Sequence, residues 1–172
     1  MKYITLTRGA RAIVDSSDYA MVNAYKWTYK PGRDERDSGY ARHNFVLQCG
    51  GIHSVTMGQF LMQAPMGMVV DHINGNGLDN RRMNLRVCTH QENMLNRRVN
   101  KNSRSGYKGV QWSEQKQSWQ VAVAKGEGGK RKVYYGGAFK NPVEAAKAYD
   151  KLAVKIQGEF ARLNFPGEMK AA

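Results

Sequence analysis

An apolar strand that ends in an Asp-His pair and runs straight into an Asn/Gly loop constrains this chain more than any other feature. The stretch is Val69-Val70-Asp71-His72-Ile73-Asn74-Gly75-Asn76-Gly77-Leu78-Asp79-Asn80. Two Asn-Gly steps supply the positive φ values that a sharp turn needs, so the segment after His72 is a tight loop. Leu85-Arg86-Val87-Cys88 reads as a second short strand. Thr89-His90-Gln91-Glu92 has the spacing of a capping box, which predicts a helix starting at His90. The order is strand, loop, strand, helix. Asp71 and His72 sit at the strand end, and Asn93 faces them from the helix.

A carboxylate, an imidazole and an amide oxygen brought together suit one chemistry well. Asp71 and the Asn93 side-chain oxygen are hard ligands for Mg²⁺ or Mn²⁺, with water and phosphate oxygens completing the shell. His72 points to the other side of the strand and can take a proton from water near neutral pH. Together they suit metal-assisted hydrolysis of a phosphodiester.

The pattern D-H-x-x-G-N-x-x-D-N-R-x-x-N-L-R-x-x-T-x-x-E-N over residues 71–93 resembles the HNH motif of phage and intron homing endonucleases. The resemblance implies a ββα-metal unit at about 67–98. It implies His72 as general base, Asp71 and Asn93 as metal ligands, and Asn84 as the catalytic-site residue that braces the loop. Asn93 stands where many relatives have a second His. Where relatives often carry a His-Arg pair before the motif, this chain has Gly58-Gln59, so a phosphate contact there does not carry over.

Charge bears on the partner. Lys+Arg number 27 against Asp+Glu 14, a net +13, which favours a polyanion: nucleic acid or an anionic membrane. No apolar run approaches the ~20 residues that cross a bilayer. No signal-peptide pattern opens the chain. Double-stranded DNA is therefore the expected partner, with no membrane role. The expected location is the cytoplasm of a bacterial or phage-infected cell. Two cysteines, Cys49 and Cys88, without a CxxC pair, are too few for a four-cysteine zinc site.

Residues 1–98 are expected to form one nuclease domain that opens with short strands. Tyr3–Thr7 and Ala12–Val14 flank Arg8-Gly9 as a hairpin. Ser17-Asp18 would cap a helix running to Tyr25. Strands are expected at Lys26–Tyr29, Tyr40–Arg42, Phe45–Leu47 and Ile52–Val55, with a helical turn or two from Met57 stopped by Pro65. His53 reads as a strand-surface residue. Arg33, Arg36 and Arg42 are DNA-contact candidates set against ordinary solvated charge.

From Asn96 to Ser105 the chain turns basic and polar, with 99–105 expected as a linker. Arg97 and Arg98, just before it, are DNA-contact candidates. A solvated tether and a phosphate-tracking arm are both open readings.

Residues 106–167 are expected to form three antiparallel strands packed on one helix. The strands are Val110–Trp112, Trp119–Val123 and Lys132–Tyr135, joined through Ser113–Ser118 and Gly126–Gly129. Asn141-Pro142-Val143-Glu144 is a helix start, and Gly158 ends that helix. Trp119, Val121 and Val123 would face the helix, leaving Gln120, Ala122 and Ala124 on an open face sized for a major groove. Lys108, Gln111, Lys125, Lys130, Arg131 and Lys132 would charge that face or its rim.

The motifs Y-K-G-V-x-W, G-G-x-F, E-A-A-x-A-Y-D and N-F-P resemble the APETALA-type DNA-binding domain of plant ethylene-response factors. The resemblance implies DNA contacts from Lys108, Gln111 and Tyr135. Ala122, Ala124 and Val133 replace charged residues of the plant domain, so the target must differ. Trp119, Phe139 and Tyr149 read as packing, and Trp112 as packing or contact. The whole is α+β, and its expected function is a monomeric, site-directed DNA endonuclease of the homing type. The rival reading is a non-catalytic DNA-binding regulator.

Overall fold

The computed structural model describes residues 1–127 and 130–168. Gly128 and Gly129, half of the expected connection Gly126–Gly129, lie outside the described residues. The fold is mixed α/β, with several small antiparallel sheets and few helices. The chain divides into two compact units, Met1–Asn93 and Met94–Ala172.

The first unit opens with β1 (Lys2–Thr5) and β2 (Arg11–Val14), paired as a hairpin. Alternation puts Ile4, Ala12 and Val14 inside. Helix α1 is only Tyr19–Asn23, and Asp18 stands at its N-cap without capping it. The reason is competition: both Asp18 carboxylate oxygens take the Arg82 guanidinium, at 2.9 Å each. Trp27 is buried, and its indole N–H donates to the Val22 carbonyl at 2.9 Å. That anchor delays the next strand, so β3 is Thr28–Lys30 rather than starting at Lys26.

Strand β4 (Tyr40–Val46) joins the two strands expected there into one. It pairs with β3 and with β5 (Ile52–Thr56). Leu47 leaves the strand for the turn, where its N–H donates to the Gly51 carbonyl at 2.8 Å. Helix α2 (Met57–Met62) begins with a capping box between Thr56 and Gln59. Met57 and Leu61 of α2 join Ile4, Leu6, Val14, Val22 and Trp27 in one core. Each such side chain stabilises the fold by about 1.5–3 kcal/mol through burial.

Strands β6 (Val69–His72) and β7 (Leu85–Cys88) pair as a two-stranded sheet, with Asp71 opposite Arg86 and His72 opposite Leu85. Helix α3 (His90–Leu95) follows. The expected capping box is formed: Thr89 N–H donates to Glu92 Oε2 at 2.8 Å, and Glu92 N–H donates to Thr89 Oγ1 at 3.2 Å.

The second unit holds β8 (Val110–Ser113), β9 (Ser118–Glu127) and β10 (Lys130–Phe139), in the order β10-β9-β8. Helix α4 (Pro142–Gln157) packs on the sheet. Asn141 accepts from Val143 N–H at 2.8 Å as its cap. Val121 and Val123 meet Ala145, Tyr149 and Ala153 in a separate core. Buried Asp150 ties the chain after α4 back to it, accepting from the backbone N–H of Asn164 and of Phe165, each at 2.8 Å.

Gly109 lies at φ +70°, and a Cβ there would overlap the Tyr149 ring. Gly106 has nearly the same φ, +71°, and nothing within 4 Å. Gly109→Ala should therefore destabilise the protein by about 2–4 kcal/mol, combining backbone strain with overpacking. Gly106→Ala should cost about 1 kcal/mol, the backbone share alone. Urea midpoints of the two variants check the difference.

Candidate functional site

The loop between β6 and β7 has few apolar side chains to bury, and polar contacts hold it. Asn84 bridges it: Nδ2 donates to the Asp79 carbonyl at 2.7 Å, and Oδ1 accepts from Asn74 N–H at 3.0 Å. Asn74 Nδ2 donates to Asp79 Oδ2 at 2.9 Å. Arg81 reaches both Asp79 oxygens, at 2.8 and 2.7 Å, and holds that carboxyl below its usual range. Gly77 passes so close to the Gly39 carbonyl that a Cβ would overlap it.

The loop also pairs with β2. Ile13 N–H donates to the Leu78 carbonyl and Asn80 N–H to the Ile13 carbonyl, both at 2.8 Å, around a parallel bridge between Ile13 and Asp79.

Asp71 and His72 end β6, as adjacent residues on opposite faces of the strand. Asp71 is 6% exposed. Its Oδ2 accepts from Arg86 Nε at 2.9 Å and from Arg86 Nη2 at 2.6 Å. His72 is half-buried, and its Nε2 lies 3.2 Å from Asn80 Oδ1. Burial pushes the imidazole below its ordinary value, against the opposing pull of Asn80, Asp71 and Asp79. The ring is therefore neutral at pH 7, the form that accepts a proton. Burial likewise raises the Cys88 thiol, so this cysteine is a packing residue.

Asn93 lies in the first turns of α3, half-buried, with its N–H donating to the Thr89 carbonyl at 3.0 Å. Among the described residues no three His, Cys, Asp or Glu side chains gather into a metal cage. One carboxylate and one amide oxygen fit a hard cation that keeps most of its water, which is how Mg²⁺ binds. They do not fit zinc.

The HNH-like pattern contains Asn80 and Arg86 but gives neither of them a role. Arg86 had an available signal: pairing the two strands places it opposite Asp71. The contact of Asn80 with His72 was not legible there, because it depends on a loop closed by β2.

The C-terminal candidates separate by face. Cross-strand partners share a face, so Gln111, Gln120, Ala122, Ala124, Arg131, Val133 and Tyr135 fall on one side. Tyr135 is 80% exposed there, the most open of the large apolar side chains on this sheet. Lys125, Lys130 and Lys132 alternate onto the other face, near the end of the β9–β10 ribbon, and all are exposed. Trp112 pairs with Trp119, ring centroids 5.1 Å apart, on the side away from Gln111. The Arg104 guanidinium lies over the Trp112 ring.

Lys108 turns inward. Its ammonium donates to the Leu95 carbonyl and, at 2.8 Å, to the Arg97 carbonyl. Its backbone pairs with the Asn164 side chain, the N–H donating at 2.8 Å. Arg162 Nη1 donates to the Asn96 carbonyl at 3.3 Å. The segment after α3 is thus held by named contacts. Arg97 and Arg98 are exposed along it. Arg98, Lys108, Gln111 and Trp112 line one concavity of about 480 Å³.

Burial, and then the guanidiniums of Arg162 and Arg97, push the Lys108 amine down to about 8. Between pH 8 and the ordinary amine value the unfolded chain holds the extra proton, so this residue's contribution to stability rises with pH. Lys108→Met should lose that slope. Denaturation midpoints of both proteins at pH 7.5 and 9.5 check it.

Comparison with known proteins bears on this site. A family described as HNH endonuclease matches residues 61–95, a window that runs from the end of α2 through β6, the loop, β7 and α3. The chain is 39% identical over 59 residues to "Protein 3.8" of Escherichia phage T7, a stretch that is 34% of this chain and 49% of the phage protein. The chain thus spans about half the length of that relative. No solved structure matches the chain. Among the described residues no helix is long and apolar enough to cross a membrane. Asp71, His72, Asn84 and Asn93 all fall inside the matched window, so the likeness to HNH endonucleases covers the polar site itself.

Proposed function

We propose that this protein is a site-directed DNA endonuclease of the homing type, which hydrolyses a phosphodiester of double-stranded DNA at an HNH site. The observation that carries this reading is the coincidence of two things. The HNH endonuclease match spans residues 61–95, and in that window a neutral His72 stands beside Asp71 on a strand end braced by Asn84. The protein would act as a monomer, in the cytoplasm of a bacterial or phage-infected cell.

Asp71 and Asn93 would hold the cation, Mg²⁺ or Mn²⁺. Bound there, it supplies a Lewis acid that offsets negative charge on the phosphate and on the departing 3′ oxygen. His72 takes a proton from the attacking water, whose oxygen bonds to phosphorus as the P–O3′ bond breaks. The 3′ oxygen leaves with a proton from solvent, giving a 5′ phosphate and a 3′ hydroxyl. Asn84 keeps the loop closed behind His72.

Recognition falls to an APETALA-type unit at 106–167. The three-stranded sheet presents Gln111, Gln120, Arg131 and Tyr135 on one face, which suits contact with a groove. Lys125, Lys130, Lys132, Arg97 and Arg98 are assigned to phosphates, where charge counts more than direction. The inward Lys108 and the Trp112–Trp119 pair argue for positioning the sheet rather than for base contact.

One observation favours the rival, a non-catalytic DNA-binding regulator: Arg86 neutralises the carboxylate that a cation would need. Incubation of DNA with Mg²⁺ separates the two readings. The nuclease reading expects cleavage with Mg²⁺, none in excess chelator, and a loss of about 10²-fold or more in His72→Ala at unchanged DNA affinity. Asp71→Ala should be inactive, and Asn93→Asp should keep part of the activity through its oxygen. Tight DNA binding with no cleavage under any metal would leave the regulator.

A further inference from the structure

We infer that Asn80 is the positioning residue for His72: by accepting from Nε2–H, it makes Nδ1 the nitrogen that takes the proton. The inference rests on the nuclease reading above and adds to it which imidazole nitrogen works and what sets it.

Two contacts decide the direction of this hydrogen bond. Asn80 Nδ2 donates to the Gly77 carbonyl at 3.4 Å, and a carbonyl can only accept. The amide is thereby turned so that its oxygen, not its nitrogen, faces His72. At 3.2 Å from that oxygen, Nε2 must carry the hydrogen. The opposite tautomer would set two acceptors against each other at a half-buried site, at the cost of an unmade hydrogen bond. In a neutral imidazole with Nε2 protonated, Nδ1 carries the lone pair.

Asn80 is well placed to hold a neighbour still. It is 1% exposed, and its backbone N–H is engaged by the Ile13 carbonyl of β2 at 2.8 Å. The restraint runs from the β2 backbone, through Asn80, to the ring of His72. Side chains that orient a catalytic imidazole in this way commonly matter about 10–100-fold to activity.

The test uses the full chain with ¹⁵N-labelled histidine. Long-range ¹H–¹⁵N correlation reports the tautomer, and His72→Gln identifies the His72 signals among the four histidines. The wild type is expected to carry hydrogen on Nε2, protected from exchange with water. Asn80→Ala is expected to lose that protection, and single-turnover cleavage is expected to fall about 10-fold or more at unchanged DNA affinity. Asn80→Asp, which keeps an acceptor oxygen, is expected to keep the protection. An Nδ1–H tautomer in the wild type, or full protection in Asn80→Ala, overturns the assignment. If Asn80→Ala does not fold, the wild type and Asn80→Asp decide: rapid exchange at Nε2–H in both overturns it. A protected Nε2–H in a protein that cuts no DNA overturns the nuclease reading alone.

Discussion

A polar loop without a hydrophobic core of its own must be closed by hydrogen bonds, and the β6–β7 loop is such a loop. Between Asn74 and Asn84 almost every side chain is polar or absent, and Asp79, Asn80 and Asn84 are nonetheless buried. Buried polar groups left unpaired cost about 1–3 kcal/mol each, so the loop has one low-energy arrangement, the one in which all of them are paired. Asn84 ties the two ends together, Arg81 engages Asp79, and the backbone of Ile13 closes the far side. Apolar packing tolerates small shifts, whereas a satisfied polar network does not. That rigidity suits a strand end that must present Asp71 and His72 to opposite sides.

This dependence gives the N-terminal hairpin a role beyond scaffold. β2 supplies the two backbone hydrogen bonds that hold Leu78 and Asn80, and Asp15 and Asp18 just after it hold Arg82. The pairing of Asp18 with Arg82 takes the carboxylate away from α1, which begins uncapped and runs for a little over one turn. A local rule of helix capping gives way to a long-range ion pair at the entrance to β7. The competition is reasonable on energy: a cap is worth about 1 kcal/mol. Leaving the mostly buried Asp18 carboxylate without a partner would cost more than that.

Much of this was legible in the sequence, for physical reasons that differ by element. The α3 start at His90 and the α4 start at Pro142 follow from caps, which are local codes. The β8–β9–β10 order follows from short connections between alternating runs. The placement of Asp71 and His72 at a strand end follows from an apolar run that meets an Asn/Gly loop, whereas a bracing Asn84 was expected only from the resemblance to the HNH motif. Other features depend on partners distant in sequence and could not be read locally. Trp27 ends in the core rather than in a strand because Val22 holds its indole. Lys108 carries a motif lysine's charge yet turns to backbone carbonyls at Leu95 and Arg97. Asn80 gains its role only when Ile13 pairs beside it.

Arg86 brings the two halves of the site's chemistry into one balance. Its Nε and Nη2 both donate to Asp71 Oδ2. The contact fixes the direction of the carboxylate. On the nuclease reading, the guanidinium beside Asp71 weakens the attraction of that carboxylate for a cation. On the same reading, the phosphate of a bound DNA would add negative charge that Arg86 offsets. If Asp71 and Asn93 hold the cation as proposed, two protein oxygens would leave most of its shell to water and phosphate, and metal would bind better together with DNA than alone.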